Sequence, residues 1–221
     1  MNQHHPPSVL ITDFDGTVTQ QDFYRIALAE LVPPGTPDYW DDFLAGRITH
    51  FQALQQIFTH IHADEDTVMT VARRMGVDPA FAPAVARLRA AGWEVVVASA
   101  GCTWYVSRLL AEQGVSVPIY ANPGDLLPGD GLQMRLPVDS PYYSANTGID
   151  KEAVVRAAKK NFSQVAFAGD GRPDAPAALL VPPEMRFARG WLADHFRQEG
   201  IPFQPFSCWT QIAQLLLRGL V

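Results

Sequence analysis

Three apolar runs in this sequence each end in residues that can handle an anion. Val9-Leu10-Ile11 leads to Asp13 and Asp15, one residue apart and followed by Gly16. Trp93 to Ala98 runs into Ser99-Ala100-Gly101, and Val165 to Gly169 runs into Asp170 and, four residues on, Asp174. Lys151 stands at the head of a helical stretch that opens Asp150-Lys151-Glu152-Ala153. Two carboxylates in one cleft can divide labour, Asp13 accepting a phosphoryl group and Asp15 moving protons, with Mg²⁺ between them. A serine hydroxyl and helix-end N–H groups donate to anionic oxygen. A lysine beside them neutralises phosphate charge and steadies the Asp13 carboxylate, and Asp170 completes an oxygen-rich Mg²⁺ site. Each feature alone also has a plainer reading. Asp15-Gly16 can be a surface turn, Ser99-Ala100-Gly101 a strand-to-helix turn, Lys151 a solvated lysine and Asp174 a helix N-cap.

The elements that must position these residues follow from periodicity. The three runs read as short buried strands of a parallel sheet, where ligands bind beyond the carboxyl ends of the strands. Chance would have to repeat at every strand end to place a functional residue at each. Between the first and second strands lie about sixty helical residues: Phe23, Ile26 and Ala27, then Phe51 to Ile61, then Val68 to Met75. One right-handed crossover needs only one helix, so these helices predict a lid-like cap over residues 19–79. Residues 1–18 and 80–221 then form the core. A helix carrying Phe81, Val85 and Leu88 precedes the second strand, and another starts near Thr103. A short strand is expected over Val117 to Ala121, and Gly129-Asp130-Gly131 between Leu126-Leu127 and Leu132 to Leu136 predicts a β-hairpin flap. The chain closes with a strand over Met185 to Ala188, a helix around Leu192 to Phe196 and an amphipathic helix carrying Ile212, Leu215 and Leu216. The fold class is therefore α/β, a doubly wound parallel sheet with a small helical cap after the first strand and a β-hairpin flap.

Composition narrows the function classes. The chain has 221 residues, 48% hydrophobic and 18% charged, which suits a folded globule. Its net charge of −6 gives no basic face, so no nucleic-acid partner is expected. No apolar run approaches the roughly eighteen residues that span a bilayer, and no apolar leader opens the chain. His4-His5 reads as an idle feature of a frayed start. Cys102 and Cys208 fit neither a metal knuckle nor a disulfide framework, so reduced thiols and a cytoplasmic setting are expected.

In order along the chain, Asp13-Phe14-Asp15-Gly16-Thr17-Val18-Thr19, Ser99, Lys151 and Gly169-Asp170 to Asp174 resemble the four motifs of the haloacid dehalogenase (HAD) superfamily. The resemblance spans Val9 to about Asp174. It implies that Asp13 attacks phosphorus, that Asp15 protonates the leaving alcohol and then activates water, and that Ser99 and Lys151 hold the phosphoryl oxygens. It implies Mg²⁺ as cofactor, held by Asp13, the Asp15 backbone carbonyl and Asp170, with Asp174 in support. Thr17, Asp22, Ala100 and Gly101 are the implied substrate contacts, and a small phosphorylated metabolite the implied partner. The helical cap and hairpin resemble the phosphoserine-phosphatase-type branch. Asp22 replaces the glutamate usual there, and Ser99-Ala100-Gly101 the usual Ser-Gly-Gly, which points away from phosphoserine. Asp22 would face the leaving group or cap a helix. Gln20-Gln21-Asp22, Tyr120-Ala121-Asn122 and Phe187-Ala188-Arg189 give a nearer likeness to the methionine-salvage phosphatases that act on 2-hydroxy-3-keto-5-methylthiopentenyl-1-phosphate. Tyr24, Arg25, Arg47 and His50 are candidate specificity residues in the cap. The alternatives are a phosphotransferase or mutase on the same scaffold, a receiver-like phospho-acceptor without enzymatic activity, and a phosphate-binding protein.

Overall fold

The computed structural model describes residues 8–219; the His4-His5 pair lies outside them. Strand β1 (Ser8–Thr12) is the middle of a six-stranded sheet. The helices α1 (Phe23–Glu30), α2 (Tyr39–Leu44), α3 (His50–Thr59) and α4 (Glu65–Arg73) follow it, and α5 (Phe81–Ala90) leads into β2 (Trp93–Cys102). Next come α6 (Thr103–Glu112), β3 (Ile119–Asn122), the hairpin β4 (Gly124–Leu127) and β5 (Gly131–Met134), and a second hairpin of β6 (Tyr143–Ser144) and β7 (Gly148–Ile149). The chain continues through α7 (Lys151–Asn161), β8 (Gln164–Gly169), α8 (Ala175–Ala178) and β9 (Arg186–Ala188), then α9 (Gly190–Gln198), β10 (Gln204–Pro205) and α10 (Trp209–Leu217).

The sheet order is β10-β9-β8-β1-β2-β3, and every pairing is parallel. An all-parallel sheet needs both faces covered, which is why its strands are apolar throughout rather than alternating. Successive side chains point to opposite faces. Leu10 accordingly joins the core with α5, α6 and α10, whereas Val9 and Ile11 join the core with α7, α8 and α9. Thr12 stands opposite Val97 on β2 and Ala168 on β8, so the ends of these three strands lie side by side. Two buried side chains brace this edge. The Trp209 indole N–H donates to Thr12 Oγ1 at 3.0 Å, and Asp78 accepts from both the N–H and hydroxyl of Thr210.

Helices α1 to α4 leave and re-enter the core through two paired linkers. Thr19 bridges Val77, the Gln20 N–H donates to Met75 O at 2.8 Å, and the Asp78 N–H donates to Val18 O at 3.1 Å. Helix α3 begins with a capping box, Thr49 and Gln52 satisfying each other's backbone N–H groups, which fixes His50 as its first residue. The β4–β5 hairpin packs against this cap: Leu132 and Met134 are buried with Phe58 and Ile57, and the Gln55 side-chain amide donates to Met134 O.

The described structure differs from the periodicity at β2 and at four short elements. Strand β2 runs on through Ser99-Ala100-Gly101 to Cys102, because Cys102 still pairs with Asn122 beyond an irregularity in the register. The two-residue strands β6, β7 and β10 and the six-residue helix α2 carry too few residues for a periodic signal.

Candidate active site

The register of the sheet sets the site. Asp13 follows β1, and its N–H donates to Ala168 O at 2.9 Å, so its carboxylate starts beside the end of β8. Lys151 Nζ lies 2.7 Å from Asp13 Oδ1 and 2.6 Å from Asp174 Oδ1, with all three side chains buried. A lysine in the first turn of α7 opposes the helix dipole; the two carboxylates outweigh both that and burial. Burial alone would lower the Lys151 pKa, yet Asp13 and Asp174 hold it above the usual lysine value. Asp174 holds the N-cap position of α8 but makes no side-chain cap bond to that helix. Its Oδ2 accepts from the backbone N–H groups of Asp170 (3.0 Å) and Gly171 (2.8 Å), and so it ties the turn after β8 to Lys151.

Asp170 accepts from the Thr17 hydroxyl at 2.9 Å and lies against the Gly16 backbone. A Cβ at Gly16 would sit 2.3 Å from Asp170 Oδ2, and the Gly16 φ is +68°, so both space and backbone demand glycine. Asp13, Asp170 and Asp174 can bring one oxygen each within 4.8 Å of one another. Burial and the neighbouring Asp174 push the Asp13 pKa well up, and the same two causes raise Asp170 to about 7. The cleft therefore holds more buried negative charge than Lys151 offsets.

Asp15 occupies a different wall. It accepts from the Phe23 N–H at 3.1 Å, from the Tyr105 hydroxyl at 2.9 and 3.1 Å, and from the Ser99 hydroxyl at 3.3 Å. Burial, then the charge of Asp22, raises its pKa to about 6. Ser99 Oγ in turn accepts from the Gly101 N–H at 2.9 Å. A Cβ at Gly101 would come within 2.0 Å of the Tyr105 oxygen and 2.7 Å of Asp15 Oδ2. The segment is held from behind by the Asn122 amide, which donates to Ala100 O at 2.7 Å and Thr147 O at 3.1 Å.

A cavity of about 580 Å³ joins these groups to the underside of the cap. Asp13, Asp15, Asp22, Ser99, Ala100, Gly101, Lys151 and Asp170 line it. Thr17 and Asp174 do not: Thr17 is buried with its hydroxyl on Asp170, and Asp174 is buried beneath Lys151. Asp22 stands at the N-cap of α1 but makes no side-chain cap bond; it pairs with Arg25 Nε at 2.9 Å, and burial raises its pKa despite that partner. Of the four cap candidates, Tyr24, Arg25 and His50 line the cavity, whereas Arg47 pairs with Asp42 away from it. Tyr105, Trp40 and Phe43 are cavity residues that the sequence motifs leave out, and Arg189, from the Phe187-Ala188-Arg189 motif, lines the cavity as well. An aromatic at helical spacing reads as core, and Tyr105 is indeed 1% exposed; only its hydroxyl is functional in position.

The sequence profile of the haloacid dehalogenase-like hydrolases matches residues 10–179. The 2-hydroxy-3-keto-5-methylthiopentenyl-1-phosphate phosphatase of Brevibacillus brevis is 24% identical over 212 residues, covering 94% of each chain. The enzyme of that name from Exiguobacterium sibiricum is 24% identical over 214 residues, covering 94% of this chain and 95% of its own. Among solved structures, a HAD family hydrolase from Salmonella enterica serovar Typhi superposes with a TM-score of 0.73 at 16% identity, over 99% of this chain and 74% of that one. The phosphoserine phosphatase of T. onnurineus superposes with a TM-score of 0.64 at 18% identity, over 100% of this chain and 99% of its own. The motif order, the strand-end geometry and a profile match over most of the chain agree: the chain belongs to the haloacid dehalogenase-like hydrolase family.

Proposed function

We propose that the chain is a Mg²⁺-dependent phosphomonoester hydrolase working through an aspartyl phosphate on Asp13. The observation that carries this reading is the separation of the two acids. Asp13 is neutralised by Lys151 on one wall, and Asp15 is held on another by Tyr105, Ser99 and the Phe23 N–H. Mg²⁺ fits the site: the donors are hard carboxylate oxygens, and the buried acids carry uncompensated negative charge. Asp13, Asp170 and the Asp15 backbone carbonyl would hold the ion. Asp174, whose oxygens are engaged by Lys151 and two N–H groups, would support them. Mg²⁺ bound there would draw off charge from the phosphoryl oxygens and from Asp13.

Asp13 Oδ attacks phosphorus as the bond from phosphorus to the ester oxygen breaks, and Asp15 gives its proton to the departing alkoxide. Asp15, now a carboxylate, takes a proton from water as the water oxygen attacks phosphorus and the Asp13–phosphorus bond breaks. Inorganic phosphate leaves, and both acids return to their starting state. Lys151 and the Ser99 hydroxyl hold phosphoryl oxygens throughout, and Ala100, Gly101 and Asp22 face the substrate. Positioning and charge neutralisation supply most of the rate in phosphoryl transfer. Thr17 acts through Asp170.

The substrate is a small phosphorylated metabolite. The full-length likeness to 2-hydroxy-3-keto-5-methylthiopentenyl-1-phosphate phosphatases, at 24% identity in two species, supports an ester of that kind. Among the described residues no helix is long and apolar enough to cross a membrane. The same reading puts its action in the cytoplasm, a compartment that keeps two free thiols reduced. The test is phosphate release from a panel of small phosphomonoesters, with and without Mg²⁺, for the wild type and Asp13→Asn. Mg²⁺-dependent release lost in Asp13→Asn is expected. Release that persists in Asp13→Asn would overturn the assignment.

A further inference from the structure

The cap wall of the cavity carries a polar group with nothing to do. His50 is 7% exposed and lines the cavity, and its Nδ1 is buried without a hydrogen-bond partner. Such an atom costs free energy until something bonds it. The ring is fixed by its surroundings: its edge meets Trp40 at 5.5 Å and Phe43 at 5.2 Å, Trp40 stacks on Tyr24 at 4.0 Å, and the capping box pins the His50 backbone. The His50 backbone N–H donates to Asn146 Oδ1 on the core side at 3.4 Å, and the backbone N–H of the next residue, Phe51, donates to Asn146 O. The imidazole is therefore a rigid, preorganised group rather than a mobile surface side chain.

The remaining wall sets what the imidazole would meet. Trp40, Phe43, Leu44, Leu54 and Phe58 make this side of the cavity apolar. Two of the nearby cations are already engaged. Arg25 pairs with Asp22, and Arg189 donates to Thr19 O, Gln20 O and Ser207 O. Arg172 lies at the exposed rim, stacked on Trp191 at 4.7 Å. The cap wall thus offers a carboxylate no free positive partner among the described residues, and it offers an ammonium no acid beyond the Arg25-bound Asp22. Burial, with a smaller push from the Lys151 charge, lowers the His50 pKa to about 3, so the ring is neutral at physiological pH and presents one donor and one acceptor. His50 and Lys151 line the same cavity, so one substrate can reach both the ring and the phosphate seat.

We propose that His50 is the specificity-determining residue of the cavity: it hydrogen-bonds an uncharged oxygen, hydroxyl or carbonyl, on the alcohol portion of the substrate, whose apolar remainder packs on Trp40 and Phe43. This rests on the phosphomonoesterase reading and deepens it. A site built to bond an oxygen discriminates against the analogue that lacks it, because its own polar atom is then left unpaired.

The test compares 2-hydroxypentyl phosphate and 2-oxopentyl phosphate with pentyl phosphate and phosphoserine in the wild type, His50→Phe and His50→Gln. The wild type should favour one of the oxygenated esters over pentyl phosphate by about tenfold in kcat/KM, the value of one well-placed hydrogen bond, and phosphoserine should rank below both. His50→Phe should erase the preference, with circular dichroism and thermal unfolding showing that the variant folds. His50→Gln, which keeps a donor and an acceptor, should restore part of it. A preference that survives in His50→Phe, or an equal loss on all esters, would overturn the role. Calorimetric Kd values for the same esters, measured with Mg²⁺ in Asp13→Asn with and without His50→Phe, read the same ratio without turnover. If no ester releases phosphate the hydrolase reading falls, and the Kd ratio alone decides His50: about tenfold supports it, and less than twofold refutes it.

Discussion

Removing one oxygen from Tyr105 isolates what that residue does. Its hydroxyl donates a hydrogen bond to Asp15, with the two carboxylate oxygens at 2.9 and 3.1 Å. Its ring is wedged beside Phe23 at 4.5 Å and meets Phe58 edge-on at 6.3 Å. Tyr105→Phe keeps that packing and deletes a hydrogen bond to a charged group, worth about 1.5–3 kcal/mol. Asp15 would retain the Phe23 N–H and the longer Ser99 contact, which leave its carboxylate free to swing. If the whole loss falls on the orientation of the acid and base, kcat drops about 10- to 100-fold. The assay is steady-state turnover of the best phosphomonoester at saturating Mg²⁺, in wild type, Tyr105→Phe, Asp15→Asn and the double variant. Because Tyr105 acts through Asp15, the double variant should turn over within about twofold of Asp15→Asn alone. An equal fractional drop in both backgrounds would show that Tyr105 acts elsewhere. A single variant with wild-type kcat would refute the reasoning outright.

Two further predictions concern charge and pH. Asp170→Asn removes a buried carboxylate whose pKa is raised to about 7 by burial, Asp174 and Asp22. At pH 8 without Mg²⁺, the variant should therefore be more stable than the wild type by at least about 1 kcal/mol, while losing the rise in Tm that Mg²⁺ gives the wild type; thermal unfolding with and without Mg²⁺ checks both. His50 has the opposite linkage, since its folded pKa of about 3 lies below its unfolded value of about 6.5. Its neutral form supports the fold above pH 6.5, and that support is lost as pH falls toward 3. The wild type should lose about 2 kcal/mol more than His50→Gln between pH 7 and pH 5 in denaturant titrations; parallel pH profiles would contradict it.

What the sequence made legible was the chemistry attached to regular elements. Asp13, Ser99 and Asp170 each follow an apolar run, and in a parallel sheet with β1 between β8 and β2 such residues must meet. The helical cap was legible because Phe51, Leu54, Ile57 and Phe58 on α3 keep a helical period, all of them buried. The supports were not legible, because they act across long stretches of chain. Tyr105 reaches Asp15 from 90 residues away, and Asn122 holds Ala100 O from a strand whose partner shifts register. Asp174 before a helix reads as an N-cap, and only the fold shows that its oxygens serve Lys151 and the Asp170–Gly171 turn. Choosing His50 over Arg47 needed the cap's seating: both flank the start of α3, yet one faces the cavity and the other its Asp42 partner.

A covalent phosphoenzyme on Asp13 would show itself in the mass of the protein. Wild type and Asp15→Asn, each mixed with a turned-over ester and Mg²⁺ and quenched in acid, would be weighed intact and mapped by peptide. Asp15→Asn should gain one phosphoryl group on the peptide holding Asp13, the adduct should persist longer than in the wild type, and Asp13→Asn should gain none. Turnover with no adduct in Asp15→Asn, or an adduct on another residue, would contradict a phosphoenzyme on Asp13.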